Sequence, residues 1–163
     1  MKKGPIVCDA NILIDYRIAG TAILKALGEY AEIIVPDVIL DEARHLDREE
    51  TESAGIGIYP VPIEMIADAS NTLPGCSMED TICYLLAKKN RWTCATNDKK
   101  LRRECLDNGV HIIRGLALLI ELVEHRHLTK KQAAEAVKKI ADANREITDE
   151  ILTEFFRLLE EVR

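Results

Sequence analysis

The sequence has few aromatic residues, no long hydrophobic run and no excess of positive charge. Phe, Trp and Tyr make up 4% of its 163 residues, although 47% of the chain is hydrophobic, so we expect a core built from aliphatic side chains. No apolar run approaches the ~20 residues that cross a bilayer, and the two lysines near the start lead into a strand rather than a signal peptide. We therefore expect a cytoplasmic protein, most simply one domain, with no membrane partner.

Paired cysteines are also lacking. The chain has five cysteines, an odd number, and no pair has C-x-x-C spacing, which indicates neither a disulfide framework nor a zinc site. Cys8 and Cys94 fall within predicted buried strands, where cysteine acts as a small hydrophobic residue. The net charge of −6 has the wrong sign for a protein that coats nucleic acid, but it is compatible with a nuclease whose carboxylates are offset by bound metal.

What is present is an alternation of apolar runs with helical stretches. Five such runs precede helices, and this pattern predicts a three-layer α/β/α sandwich with a central parallel five-stranded sheet. We expect a solvated loop or frayed helix end at Asp47–Ser53, a strand at Gly55–Pro62, and Cys105 and Leu106 facing the sheet. After residue 127 the strands stop, so we divide the chain into an α/β domain, 1–127, and a helical C-terminal extension, 128–163, packed on the domain or on a partner.

Four acids lie at positions that this fold would bring to the carboxyl edge of the sheet. Asp9 ends the first strand, Glu42 lies on the helix after the second, Asp80 begins the helix before the fourth, and Asp98 follows the fourth. Ligands of open α/β sheets bind at the carboxyl ends of the strands, so these acids meet in one crevice if strands one and four are neighbours. Hard carboxylate oxygens suit Mg²⁺ or Mn²⁺. Two such ions ~4 Å apart could support phosphodiester hydrolysis.

Each acid also has a structural explanation. Asp9 and Asp98 each fit the N-cap of the following helix, and Asp80 fits a capping box that begins at Ser77. Glu42 has acidic neighbours and could be one of several solvated acids. Only the joint placement of the four favours a metal site.

The segments that carry these acids resemble the motifs of the PIN-domain nucleases. The order CDANILI, VPDVILDEA, SMED before an apolar helix and TND before a basic helix is similar to that family over about residues 5–115. It is similar in particular to the small prokaryotic toxins of toxin–antitoxin pairs. The amphipathic tail resembles a branch of PIN proteins with a helical C-terminus.

The resemblance implies a PIN-like sandwich that acts as a metal-dependent endoribonuclease on RNA. It also implies a homodimer and, for the toxin members, a cognate antitoxin that blocks the site. Asn11 would orient a ligand or a metal-bound water, and Thr96, with Asn97 beside it, would hydrogen-bond the carboxylates or a water. The catalytic residues that it implies are Asp9, Glu42, Asp80, Asp98, Asn11 and Thr96, the four acids being the metal ligands.

Basic residues follow directly after Asp98. The best candidates for phosphate contacts are Lys99, Lys100, Arg102 and Arg103. Successive positions of a helix face different directions, so not all four can reach one groove, and this could equally be a solvated basic face. Arg44 and His45 are weaker candidates.

Two other functions compete with the ribonuclease. A PIN fold can also serve as a non-catalytic nucleic-acid-binding or interaction module. A phosphate-ester hydrolase of the haloacid-dehalogenase type also ends its first strand with an Asp, but that family has D-x-D, and here Asp9 is followed by Ala10 and Asn11.

Overall fold

Five parallel strands form one central sheet flanked by helices. The computed structural model describes residues 2–43 and 46–163, and of Glu42 it describes only the backbone. The strand order is β3-β2-β1-β4-β5, and every neighbouring pair is parallel. The predicted α/β/α sandwich with a five-stranded parallel sheet is thereby confirmed. The strands are β1 Lys3–Cys8, β2 Ala31–Pro36, β3 Gly57–Tyr59, β4 Thr93–Ala95 and β5 Ile112–Ile113.

Ten helices lie in the described part of the chain. The helical region after β1 is split at Gly20, whose φ of 135° is a backbone conformation open to glycine. None of these helices is long and apolar enough to cross a membrane. The helices are α1 Ala10–Ala19, α2 Thr21–Tyr30, α3 Asp37–Glu42, α4 Arg48–Ser53, α5 Ile63–Thr72, α6 Met78–Asn90, α7 Lys99–Asp107, α8 Gly115–Glu124, α9 Lys130–Ala143 and α10 Asp149–Glu161.

Strand β1 is the centre of the core and fixes the position of the site. Val7 is opposite Ile34 of β2 and Cys94 of β4, so β1 has a strand on each side. Cys8 and Cys94 have no exposed surface, which agrees with their predicted place in buried strands. Because β1 and β4 are neighbours, the residues that follow them meet at the same edge of the sheet.

The structure corrects three local expectations. Residues 48–53 form helix α4, which Asp47 begins by accepting a hydrogen bond from the backbone N–H of Glu50. Strand β3 covers only three of the eight residues predicted from 55 to 62, because the prolines that follow it cannot donate to a ladder. Leu106 is 61% exposed while Cys105 is buried, since adjacent helical positions face different ways.

The two C-terminal helices pack on the rest of the chain. Helix α9 lies against α1 and α8, and α10 lies against α8 and α9. Small side chains on the buried face of α9, Ala133 and Ala136, allow a close approach to α1. Asn144, at the end of α9, donates a side-chain hydrogen bond to Asp15 Oδ2 of α1 at 3.3 Å. The boundary between residues 127 and 128 stays a prediction.

Candidate active site

Asp9 is a buried carboxylate held at both oxygens. It follows β1 and caps α1, since the backbone N–H of Ile12 donates to its Oδ1 at 3.1 Å. Thr96 donates from its hydroxyl to Oδ2 at 2.6 Å. Asp9 is 5% exposed, and this burial raises its pKa despite both hydrogen bonds, with a smaller upward effect from the charge of Asp98. The structure thus fixes the carboxylate firmly without neutralising it.

The segment after β4 organises the site through three consecutive side chains. Thr96 is buried and accepts a hydrogen bond from the backbone N–H of Asp98 at 3.1 Å while it donates to Asp9. Asn97 Oδ1 accepts from the backbone N–H of Gly115 at 2.9 Å at the start of α8. Asp98 begins α7, where its Oδ1 accepts from the N–H of Leu101 at 2.7 Å. One short segment therefore connects β1, α7 and α8.

Asp80 is the third acid, and its pKa depends in part on the charges of Asp9 and Asp98. It lies in the first turn of α6, where its backbone N–H donates to Ser77 Oγ at 3.1 Å. Burial raises the pKa of Asp80 to about 6, and the negative charges of Asp9 and Asp98 add to that rise. The Thr96 hydroxyl contacts both the Asp9 carboxylate and the backbone N–H of Asp98, so Asp9 and Asp98 lie at the same edge of the sheet.

An open crevice of about 320 Å³ gives access to Asp9 and Asp80, whereas Asp98 does not line it. Asp9 and Asp80 both line it, and Asn11 is exposed beside them. Ile39 and Ala43 form the wall on the α3 side. The two predicted acids and the predicted amide therefore share one space.

The side chain of the fourth predicted acid, Glu42, lies outside the described part of the chain. Arg44 and His45 lie outside it entirely. The backbone of α3 comes to the crevice, because Ile39 and Ala43 on either side of Glu42 line it. Whether Glu42 joins the other acids stays a prediction.

The donor set suits a hard divalent cation. Across residues 2–43 and 46–163, the Glu42 side chain excepted, no three His, Cys, Asp or Glu side chains are already grouped to hold a metal. Asp9 and Asp80 nevertheless bring carboxylates to one crevice, and burial raises the pKa of each, so their ionised forms are unfavourable there without a cation. Mg²⁺ or Mn²⁺ would stabilise these ionised forms, since carboxylate oxygens are the ligands that both ions prefer. The chemistry of the donor atoms therefore suits the implied metal.

The basic residues of α7 do not face one groove. Lys99, Lys100 and Arg103 are exposed, whereas Arg102 is half-buried. The side chain of Lys100 lies against Gly75 in the loop before α6. Only Arg102 has a buried side-chain nitrogen, Nε, with no hydrogen-bond partner among the described residues.

A larger cavity of about 390 Å³ lies among α1, α8, α9 and α10. Its walls are mostly apolar, and none of the predicted acids with a described side chain lines it, so we place the active site in the smaller crevice. Asp15, Asn144 and Arg114 line the larger cavity, and sequence reasoning missed all three. The available signal was Asp15 itself, an acid between Ile14 and Tyr16 in an apolar helix.

Comparison with known proteins supports this fold. The chain matched no protein-family model and no curated protein. Among solved structures, it is similar to a PilT N-terminus domain protein from the hyperthermophilic archaeon Sulfolobus solfataricus P2. The two share 12% sequence identity at a TM-score of 0.54, over 74% of this chain and 95% of that one. At this identity the likeness establishes a PIN-like fold and leaves the activity to be argued from the site.

Proposed function

We propose that this protein is a metal-dependent endoribonuclease that hydrolyses RNA phosphodiester bonds. The observation that carries the proposal is that Asp9 and Asp80 line one open crevice, while the Thr96 hydroxyl connects the Asp9 carboxylate to the backbone of Asp98. Acids gathered in this way occur mainly at functional sites. The PIN-like fold, the matching order of motifs and the open crevice support the same function.

The roles of the residues follow from their contacts. Asp9, Asp80, Asp98 and Glu42 would hold Mg²⁺ or Mn²⁺, which supplies an activated water and stabilises the leaving oxygen. Thr96 restricts the rotation of the Asp9 carboxylate through the 2.6 Å hydrogen bond.

Two further side chains complete the site. Asn11, exposed at the mouth of the crevice, offers an amide that can hydrogen-bond a phosphate oxygen or a water. Asn97 keeps α8 aligned with the segment after β4.

The wider context is part of the same proposal. We propose that residues 1–127 form the nuclease part, with 128–163 as a helical addition, and that the protein works in the cytoplasm as a homodimer. The similarity to small prokaryotic PIN toxins suggests a toxin whose partner is an antitoxin that blocks the crevice. Growth arrest on expression, relieved by the product of a neighbouring gene, is the test of that finer proposal.

The direct test is cleavage of a labelled single-stranded RNA with Mg²⁺ or Mn²⁺. Asp9→Ala and Asp98→Ala should each abolish cleavage while circular dichroism shows an intact fold, and chelation should abolish it in the parent. Arg145→Ala, an exposed change away from the crevice, serves as the control. Full activity in either acid variant would overturn the proposal, and RNA binding without cleavage by the parent would favour the non-catalytic module. A trapped acyl-phosphate on Asp9 would favour the haloacid-dehalogenase type.

A further inference from the structure

The larger cavity is separate from the acid crevice and has a buried acid in its wall. Its volume of about 390 Å³ is within the range of small-molecule sites, about 300 to 1,000 Å³. Ile12 and Asp15 of α1 line this cavity, whereas Asn11 and Ile14 of the same helix line the crevice. The two spaces therefore meet different faces of α1, and the larger one needs an explanation of its own.

The acid in the wall, Asp15, is only partly paired. It is 8% exposed, and among the described residues its carboxylate has one hydrogen-bond partner, Asn144, which donates to Oδ2 at 3.3 Å. The other oxygen, Oδ1, has no such partner there and is not shielded from solvent. Asp15 also takes part in none of the ion pairs found in the described part of the chain. Because a buried carboxylate without a positive partner is unfavourable, a cation in the cavity would be bound at Asp15.

The charged side chains around the cavity are mostly acidic. Among the described residues that line it they are Asp15, Glu146, Glu150 and Glu154, with Arg114 as the base. Glu154 is paired with Arg157 at 2.6 Å, so three acids remain against one base. This excess of negative charge attracts cations and repels phosphate groups. The cavity therefore does not suit an RNA strand.

The rest of the lining is apolar and incompletely covered. Ile120 of α8 and Phe155 of α10 are buried in the walls, whereas Leu158 of α10 lines the cavity and is still 37% exposed. Apolar surface of this kind gains free energy when another apolar group covers it. The walls and the excess of acids together require a ligand with an apolar body and a positive group.

We propose that this cavity binds a small organic cation, an amine or guanidine on an apolar body, whose charged nitrogen donates a hydrogen bond to the Asp15 carboxylate. The apolar body packs against the walls supplied by α8 and α10. The site goes beyond the proposed nuclease function, since it shares no lining residue with the acid crevice.

Three probes with one apolar body separate the effect of charge from that of shape. They are phenylbutylamine, a cation at pH 7.5, phenylbutanol, which is neutral, and phenylbutyrate, an anion. The amine should bind the parent at least about tenfold more tightly than either of the others, because it alone makes a charged hydrogen bond to Asp15. Amide NMR titrations without RNA or metal measure the affinities, and the signals of Asp15, Gly115 and Asn144 should shift together.

Asp15→Asn removes the charge and keeps the shape of the side chain. It should weaken binding of the amine at least about tenfold and leave that of phenylbutanol within about twofold. A melting temperature at or above that of the parent would show that the loss does not come from unfolding. Asp142→Asn makes the same change at an exposed position of α9 outside the cavity, and it should leave the affinity for the amine unchanged.

A second variant occupies the cavity and leaves its charges in place. Ala117 of α8 lines the cavity and is exposed to solvent, so a larger side chain there can be accommodated without disturbing the core. Ala117→Leu should weaken binding of the amine and of phenylbutanol alike, because it takes up space that both probes need. Unchanged binding of the amine in this variant would mean that the probe binds elsewhere, which would overturn the proposal.

The remaining outcomes also decide the proposal. Equal binding of the amine and phenylbutanol would mean that the cavity is an apolar site without a preference for cations. A preference for the amine that survives in Asp15→Asn, or no saturable binding of the amine at roughly millimolar concentration, would also overturn the proposal. A preference that disappears in Asp15→Asn and persists in Asp142→Asn supports it. Since these measurements use neither RNA nor metal, the proposal can fail while the nuclease function stands, and the reverse.

Discussion

The two ends of the parallel sheet differ in whether their charged side chains are neutralised by a partner of opposite charge. At the amino end, Lys3 donates to Glu121 Oε2 at 2.7 Å, and the Tyr30 hydroxyl donates to the same oxygen. At the carboxyl end, burial raises the pKa of Asp9 and of Asp80, and Arg102 has a buried nitrogen with no hydrogen-bond partner among the described residues. The Lys3–Glu121 ion pair at one end stabilises the fold, whereas the buried acids at the other end are unfavourable in their ionised form until a cation binds. The difference identifies the functional end without reference to any relative.

The largest expected effect comes from removing one charge at the carboxyl end. Asp9→Asn should lower RNA cleavage by at least about a thousandfold, since a lost metal ligand removes several kcal/mol of transition-state stabilisation. The same change should raise the free energy of unfolding in chelator, because a buried carboxylate with a raised pKa is replaced by a neutral amide. Urea denaturation and a single-turnover cleavage assay measure the two effects.

The matched control is Asp37→Asn on α3. Asp37 Oδ1 accepts from the backbone N–H groups of Val38 and Val61, so it is a structural acid close to the same edge. Its amide variant should keep cleavage within a few-fold and should not gain stability. A gain in stability for Asp37→Asn equal to that of Asp9→Asn would remove the distinction between a structural acid and the buried acid of the site.

Divalent metal should stabilise the protein by binding the acids at the carboxyl end of the sheet. This gain in stability should not depend on the charges at the amino end. With Mn²⁺ at about 100 times its dissociation constant, the parent should gain about 2.7 kcal/mol of stability. Asp9→Asn and Asp80→Asn should lose most of that gain, whereas variants at Lys3 should keep it. Thermal melts with Mn²⁺ and with chelator provide the measurement. An equal gain in every variant would mean that the ion binds elsewhere.

Sequence reasoning recovered the sheet because its signals were local. Val7, Cys8 and Cys94 lie in short apolar runs that indicate buried strands, and right-handed crossovers then leave few topologies. The same logic located Asp9 and Asp98, because both follow neighbouring strands directly. Helix α4 was missed because its sequence, REETES, has no apolar periodicity and depends on a single cap and the buried side chain of Thr51.

The features that escaped prediction depend on contacts between distant segments. The pKa of Arg102 is lowered first by burial and then by the positive charge of Arg114, and Asp15 accepts a hydrogen bond from Asn144, 129 positions away in the chain. Neither pair has a spacing that a single sequence can reveal. A polar group is buried only where another element covers it, and Asp15 is covered at the end of α9. The sequence does not show where α9 packs.

Asp15 supplies a pH test in the region between the two ends. Burial raises the pKa of Asp15 to about 6, and the charges of Asp9 and Glu146 add to it, while the hydrogen bond from Asn144 opposes it. The folded state thus binds this proton more tightly than the unfolded state, whose Asp titrates near 3.9. Stability from this group is full below pH 4 and is lost as pH rises through about 6.

Asp15→Asn should therefore be more stable than the parent by roughly 2 kcal/mol at pH 7.5, with the difference fading below pH 4. An asparagine oxygen can still accept the hydrogen bond from Asn144. Urea midpoints between pH 3.5 and pH 8 measure the effect. A difference that stayed constant over this range would show that packing, not ionisation, separates the two proteins.

The smallest expected effect is at the amino end, where the comparison reverses. Glu121→Gln breaks the ion pair with Lys3 and weakens the hydrogen bond from Tyr30, so it should cost about 1 kcal/mol of stability. High salt should shrink this loss, because the Lys3 side chain is 40% exposed. Cleavage should be unchanged, since Glu121 lies far along α8 from Gly115, where that helix meets the site. If neutralising Glu121 instead stabilised the protein, as neutralising Asp9 should, the ion pair at the amino end and the buried acids at the carboxyl end would have the same effect on stability. The position of the site would then have to be argued from the fold alone.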